Sequence, residues 1–350
     1  MTKTGIVGMS EKEIRDIVEK LGYPPFHGTQ VFNWIYHRFP KSFFDMTDLP
    51  KKLRSILNER YIIDYFRYSE KIISRDGLTI KYRFPLSDSL GIESVAMKDR
   101  RGRLSFCVSS QCGCPIGCMY CTTGTMGFIR DLKKSEIINQ ILCMIIQHGK
   151  PDSILFMGMG EPLLNYENLI ETIKLLKEMG FGERKITVST CGIVKNIYKL
   201  ANSGYRPRLA VSIGSAIEEK RKILIPKVKT SLEELKESLK FYREKTRRRI
   251  TLEYTIIENI NDTENDAKAL AEFAAKTKSH VNIIRFNRSC VKQFNPPPPK
   301  VINKFKNILI SRGIEVSERY RRGEDISAAC GQLIWDTANS KNYTMKLNLN

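Results

Sequence analysis

From Leu104 onward the sequence alternates short apolar runs with amphipathic segments, and that alternation leaves few folds open. Runs of strand length lie at 104–109, 153–157, 186–189, 209–213, 250–257, 281–286 and 314–318. Between them apolar residues recur at helical spacing, as Ile137, Ile138, Ile141 and Ile145 in 135–147 and Leu169, Ile173, Leu176 and Met179 in 166–179. Thr230 with Glu233 reads as a capping box that opens a helix to about Lys245. Segments 266–277 and 300–311 supply two more helices, the second after the breaker run of Pro296 to Pro299. Repeated strand–helix units imply right-handed crossovers and a parallel sheet. The fold class is therefore α/β. About six units suit a partial (βα)6 barrel better than a closed eight-fold one, and either form puts reactive groups at the C-terminal ends of its strands.

Before the barrel, residues 1–68 read as a small helical unit. Ser10 with Glu13 is a capping box opening a helix through Leu21, which Gly22-Tyr23-Pro24-Pro25 ends. A second helix should carry Val31, Trp34 and Ile35 on one face, and a third should lie around 53–57. Lys41, Lys51, Lys52, Arg54 and Arg60 make this unit basic, which suits either a phosphate backbone or plain solvation. Residues 69–103 change to a period of two. Segment 78–84, alternating apolar and basic, is expected to form a half-exposed strand and 92–97 a second strand, the two linking the helical unit to the barrel. Residues 336–350 read as a polar tail.

The cysteines narrow the chemistry. Cys114, Cys118 and Cys121 form a C-x3-C-x2-C triplet in a loop with Gly113, Pro115 and Gly117. Thiolates ligate iron–sulfur clusters, and three ligands on a four-iron cube leave one iron open. That spacing resembles the signature of radical S-adenosylmethionine (SAM) enzymes. A zinc knuckle needs a second Cys/His pair, and the four histidines are scattered without ligand spacing. A disulfide scaffold suits neither the length nor the absence of a secretion signal, so nine cysteines point to a reducing, cytoplasmic setting. Fifty-eight Lys and Arg against 38 Asp and Glu give +20. Such a balance suits a polyanion, with nucleic acid the leading candidate and no run long enough for a membrane span.

Further candidates sit at strand ends. The run Phe156-Met157-Gly158-Met159-Gly160-Glu161-Pro162 ends a strand in a glycine-rich turn, where Glu161 could hold the ammonium of SAM. Ser189 and Ser212, with the glycines after them, suit its carboxylate and ribose, and Asn287 suits adenine or ribose. Ordinary strand-terminating turns explain the serines equally well. Cys330, between small residues on a cation-flanked loop, has the setting of a reactive thiolate. On residue chemistry alone a buried structural role suits Cys330 and Cys107 better.

Three motifs together change this weighting: Cys-Val-Ser-Ser-Gln-x-Gly-Cys-x3-Cys-x2-Cys from Cys107, Met-Gly-Met-Gly-Glu-Pro-Leu-Leu-Asn from Met157, and Gly-x-Asp-Ile-x-Ala-Ala-Cys-Gly-Gln-Leu from Gly323. They resemble the RlmN/Cfr family of radical SAM methyltransferases acting on adenosine in 23S ribosomal RNA. The resemblance runs from the N-terminal helices, including Gln30 to His37, to about Leu333. It implies a [4Fe-4S] cluster on Cys114, Cys118 and Cys121 and two SAM molecules per turnover. It also implies SAM contacts at Gly160, Glu161, Ser189, Ser212 and Asn287. Cys330 would accept a methyl group, a radical would activate that group to attack the ring, and Cys107 would release the RNA by forming a disulfide with Cys330. Glu93 matches the position of a proton acceptor. Implied partners are 23S ribosomal RNA, with transfer RNA a further candidate, and a flavodoxin-like or other low-potential reductant. The expected product is C2-methyladenosine. C8 methylation of the Cfr type, a paralogue with another RNA target, and a non-catalytic iron–sulfur RNA-binding protein are the alternatives. Two departures stand out: Ser212-Ile213-Gly214-Ser215 lacks the family's usual histidine, and Arg288 replaces a usual proline. Cys112 is not expected to be a ligand, since a fourth thiolate would block the open iron.

Overall fold

The computed structural model describes residues 3–287, 293–319 and 323–335. At its centre lies a ten-stranded sheet. Seven neighbouring strands are parallel: Leu104–Cys107, Ser153–Phe156, Ile186–Thr190, Arg208–Ser212, Ile250–Ile256, His280–Arg285 and Val316–Glu318. They lie side by side in chain order, because each right-handed crossover sets its strand next to the last. Helices Lys134–His148, Tyr166–Glu178, Val194–Ala201, Glu264–Thr277 and Pro299–Ser311 each make one crossover, and the pair Glu218–Leu224 and Leu232–Thr246 makes another. This is the expected partial (βα)6 barrel. Val194–Ala201 and Glu218–Leu224 were not expected; at 8 and 7 residues they are too short for periodicity to reveal.

The strands bury Ile154, Phe156, Val188, Val211, Leu252 and Ile283, in one core with Ile137, Ile141, Leu169, Ile173 and Leu176 of the crossover helices. Such positions contribute about 1.5–3 kcal/mol each, so the barrel is a rigid mount for its loops. The cap at 232 lies one residue later than expected. Ser231, not Thr230, accepts the Glu234 N–H, and the Glu234 carboxylate returns a bond to the Ser231 N–H.

Residues 69–103 do more than link. Strands Glu70–Ile73, Thr79–Pro85 and Gly91–Lys98 extend the same sheet antiparallel from Leu104–Cys107. The basic side of 78–84 faces inward, contrary to expectation. Lys81 is buried, and Lys81 and Arg83 both reach the buried carboxylate of Glu93, at 3.3 and 3.4 Å. The alternation was real, but the polar face had a buried acid to meet.

In the N-terminal unit, Ser10 and Glu13 cap helix Glu11–Lys20 reciprocally, as expected. Helices Phe26–Asn33 and Lys51–Arg60 follow, with a wider π turn at Trp34–Arg38. Trp34 is half-buried against the core, with its Nε1 donating to Asp48 at 2.6 Å, while Phe32 and Tyr36 pack inward beside Val31 and Ile35. The unit docks on the barrel helices through Lys134–Glu13 at 3.0 Å and through the Glu11 N–H, which donates to Glu178 at 3.0 Å. The polar tail, 336–350, lies outside the described residues.

Candidate active site

The cysteine loop leaves the C-terminal end of Leu104–Cys107, the first parallel strand. A short hairpin, Gln111–Gly113 with Phe128–Asp131, brackets it. Gly113 has φ +72°, and a Cβ there would lie 1.9 Å from the Gly127 carbonyl oxygen, so only glycine closes the hairpin. The Cys114 N–H donates to that same carbonyl at 2.8 Å, and the Cys121 N–H donates to the Cys118 carbonyl at 3.1 Å. These bonds turn the chain so that Cys114, Cys118 and Cys121 line one cavity. Cys112 is buried and does not line it.

Burial pushes the Cys114 thiol up to about 12 and Cys118 well above its ordinary value, and charge on the neighbouring cysteines adds to both. Three crowded thiols of this kind call for cationic iron to hold them as thiolates. Among the described residues no three His, Cys, Asp or Glu side chains form a single-ion metal site. A four-iron cluster asks for something else, one thiolate for each of three irons, and the donor set fits it.

Gly160, Glu161, Ser189, Ser212 and Asn287 line the same cavity. Gly160 has φ +98°, and a Cβ there would lie 2.6 Å from the Cβ of Gln111, whose Oε1 accepts the Glu161 N–H at 2.8 Å. Glu161 is buried; its carboxylate accepts the N–H of Leu163 at 3.0 Å and of Cys191 at 2.8 Å. Burial pushes its pKa up, and those two donors oppose the shift. Gly214, where the family pattern has histidine, has φ +70°, and a Cβ there would meet Ile225 at 2.9 Å. The backbone here is shaped for glycine. Arg288 lies outside the described residues.

The C-terminal segment folds back onto the loop. The Thr122 N–H donates to the Gly331 carbonyl and the Thr123 hydroxyl to the Leu333 carbonyl, each at 2.7 Å. Asn287 Nδ2 donates to the Cys330 carbonyl at 3.3 Å. Cys330 thereby lines both the cluster cavity and an adjoining one that also contains Cys107 and Cys121. Two thiols 223 positions apart in the sequence, counted from 107 to 330, share one chamber.

Glu93 is not brought into either cavity. It is 2% exposed, held by Lys81 and Arg83, and its Oε2 accepts the Ile334 N–H at 3.1 Å. Burial pushes its pKa up against both cations.

Glu253, which sequence reasoning did not single out, faces the cluster cavity, and so does Arg319 of the cation-flanked C-terminal stretch. Glu253 accepts from Asn282 Nδ2 at 2.7 Å; Asn282 Oδ1 accepts from the Ser317 hydroxyl at 2.8 Å, and His280 Nε2 lies 2.7 Å from that hydroxyl. With the Ser317 proton committed to Asn282, His280 must donate from Nε2, so every donor in the chain points toward Glu253. Charge on Cys330, then on Glu253 and Cys107, holds the Arg319 guanidinium well above its ordinary range. An acid inside the apolar run 250–257 was the available signal for Glu253.

Cys107 gives a pH prediction. Burial, with the Cys330 charge adding, pushes its thiol up to about 12 against the pull of Arg319. It therefore stays protonated through neutral pH, and its nucleophilicity appears only as pH climbs toward that value. Iodoacetamide should label Cys107 in the native enzyme at a small fraction of the free-cysteine rate from pH 6 to 9, measured by peptide mass spectrometry. Labelling at the rate of an exposed cysteine would contradict this.

Comparison with known proteins identifies the family. Residues 108–274 match the family model for the radical SAM superfamily, and residues 4–63 match the ribosomal RNA large subunit methyltransferase N-terminal domain. The probable dual-specificity RNA methyltransferase RlmN of Thermotoga neapolitana is 40% identical over 333 residues, covering 94% of this chain and 96% of its own. The Clostridioides difficile protein of the same name is 38% identical over 340 residues, covering 95% and 98%. A crystal structure of a radical SAM methyltransferase from Sphaerobacter thermophilus superposes with a TM-score of 0.89 at 36% identity, covering 94% of this chain and 99% of that one. Identity at this level over nearly the full length, with both family domains in place, makes this chain a member of the RlmN family of radical SAM RNA methyltransferases.

Proposed function

We propose that this chain methylates C2 of an adenosine in 23S ribosomal RNA, with transfer RNA a second substrate, through a methyl group carried on Cys330. One observation carries the reading: Cys330 lines the cavity of the three cluster cysteines and also the chamber that holds Cys107. Cys114, Cys118 and Cys121 would hold the cluster, and Gly160, Glu161, Ser189, Ser212 and Asn287 would hold SAM. Once bound, the cluster would supply the electron for reductive cleavage of SAM. An adenine ring carbon bearing hydrogen is a poor nucleophile, so direct displacement on SAM is closed to it.

Cys330 takes the methyl group first. Its sulfur displaces the sulfonium of one SAM, forming S–CH3 and releasing S-adenosylhomocysteine, and the thiol proton is lost. The S-methyl group then gives a hydrogen atom to the deoxyadenosyl radical from a second SAM, and the methylene carbon bonds to the ring, whose unpaired electron would return to the oxidised cluster. Cys107 attacks the Cys330 sulfur, forming a disulfide as the carbon–sulfur bond breaks; the electron pair of that bond stays with the base, whose new carbon takes up a proton, matched by the thiol proton Cys107 loses. The ring proton leaves to a base; Glu93 is the proposed acceptor, a role that requires the Ile334 N–H to release its carboxylate. A low-potential protein such as a flavodoxin would return the disulfide to thiols and feed the cluster. The RNA-modifying relatives support a cytoplasmic location, and no described helix is long and apolar enough to cross a membrane.

Arg319 lines the chamber that holds Cys330 and Cys107, so Arg319→Met should slow methyl uptake by about tenfold through loss of a charge-assisted contact in that chamber. Unchanged uptake between pH 6 and 9 would remove Arg319 from the reaction.

The reading is tested by anaerobic reconstitution with SAM, reductant and RNA, followed by digestion and nucleoside mass spectrometry. It predicts 2-methyladenosine; 8-methyladenosine alone would overturn the C2 assignment.

A further inference from the structure

The reactive chamber occupies the C-terminal ends of the strands. A separate cleft opens at the opposite face. Helices Leu232–Thr246, Glu264–Thr277 and Pro299–Ser311 all end there, just before strands Ile250–Ile256, His280–Arg285 and Val316–Glu318 begin. Arg243, Arg247, Arg248, Arg249, Lys278 and Arg312 line it, against one carboxylate, Glu315. Arg248 pairs with Glu183 at 3.6 Å and Arg249 with Glu315 at 2.8 Å. Among the described residues no salt bridge neutralises Arg243, Arg247, Lys278 or Arg312.

Cations at helix C-termini have an ordinary explanation, since each helix end carries about half a negative charge. Three such ends offset roughly 1.5 of these charges and leave the cleft strongly positive. The backbone also speaks against a purely structural role. Arg247 and Lys278 cap their helices in left-handed conformation, at φ 57° and 49°, where a side chain costs about 1 kcal/mol that glycine avoids. Cations occupy two positions whose geometry suits glycine, which fits a use for the charge outside the fold.

We propose that this cleft is a second RNA contact, gripping the phosphate backbone of the substrate far from the base being modified. The proposal rests on the RNA-methylating reading above. A concave, basic, weakly paired surface on a chain of net charge +20 complements a polyanionic strand, and guanidinium groups bind phosphate oxygens well. The seven-residue Ile250–Ile256 strand puts the cleft about 20 Å from the reactive end. Only an RNA that extends well beyond the target loop can reach both.

The double variant Arg247→Gly/Lys278→Gly tests this, because glycine removes both charges and relieves both strained caps. Its affinity for deproteinised ribosomal RNA and for bulk transfer RNA should fall about tenfold near 0.1 M salt, with the log–log salt slope smaller by about 1.4–1.8. Affinity for a short hairpin holding only the target loop should stay at the wild-type value, as should RNA-independent methyl uptake by the protein. The melting temperature should hold or rise. If the variant binds the long RNAs with wild-type affinity and slope while its melting temperature falls, the cations are helix caps and the second contact does not exist. Wild-type protein that neither binds nor methylates RNA would instead overturn the RNA reading, and this proposal with it.

Discussion

Cys330→Ala protein is expected to take up no methyl group from SAM and to lower methylated RNA by about a thousandfold or more, the scale of removing an essential nucleophile. Cys107→Ala protein is expected to fail differently. It keeps the methyl-accepting sulfur, so the ring carbon still becomes bonded to the methylene carbon carried on Cys330, but nothing remains to attack that sulfur. The variant should accumulate RNA joined covalently to Cys330, visible as a gel-shifted species that survives denaturation. The chamber holding both sulfurs gives this asymmetry its physical basis. Cys107→Ala protein that turns over normally, or that never carries RNA, would remove the resolving role. Iron content should be unchanged in both variants, since neither cysteine belongs to the C-x3-C-x2-C triplet.

Glu161→Ala is the second large effect. Its carboxylate occupies a buried site and accepts the N–H groups of Leu163 and Cys191. Alanine leaves both donors without a partner, at about 1–3 kcal/mol each, so the variant should lose about 2–6 kcal/mol of stability in denaturant titration. A carboxylate bonded to the SAM ammonium is worth about 1.5–3 kcal/mol, so SAM affinity should fall about 10- to 100-fold. Glu161→Gln keeps one acceptor oxygen and should lie between the two proteins in stability while losing most of the SAM affinity. An alanine variant with wild-type stability and SAM affinity would show that the carboxylate neither braces the turn nor meets the cofactor.

The barrel was legible because parallel strands and crossover helices write two different periods into the sequence. The helices at Val194–Ala201 and Glu218–Leu224 escaped because about two turns give periodicity too little length. Lys81 and Arg83 misled for a different reason. A basic, alternating strand looks solvent-facing unless the partner acid is known, and Glu93 lies on the neighbouring strand, paired directly opposite Arg83. The burial of Phe32 and Tyr36 beside Val31 and Ile35 accompanies a π turn that no residue spacing announces. In the site, the three cluster cysteines and Glu161 stood out because ligand spacing and a glycine turn are local features. The chamber shared by Cys107 and Cys330, and the half-buried chain from His280 to Glu253, depend on tertiary contacts between distant strands.

The most direct test of methyl carriage by Cys330 is a single turnover with two isotopes. Enzyme loaded with unlabelled methyl on Cys330 is freed of SAM, then given RNA, reductant and SAM bearing a trideuterated methyl group. The account predicts that the first methylated adenosine contains the unlabelled carbon from Cys330. A trideuterated methyl group on that first product would mean direct transfer from SAM and would contradict the account.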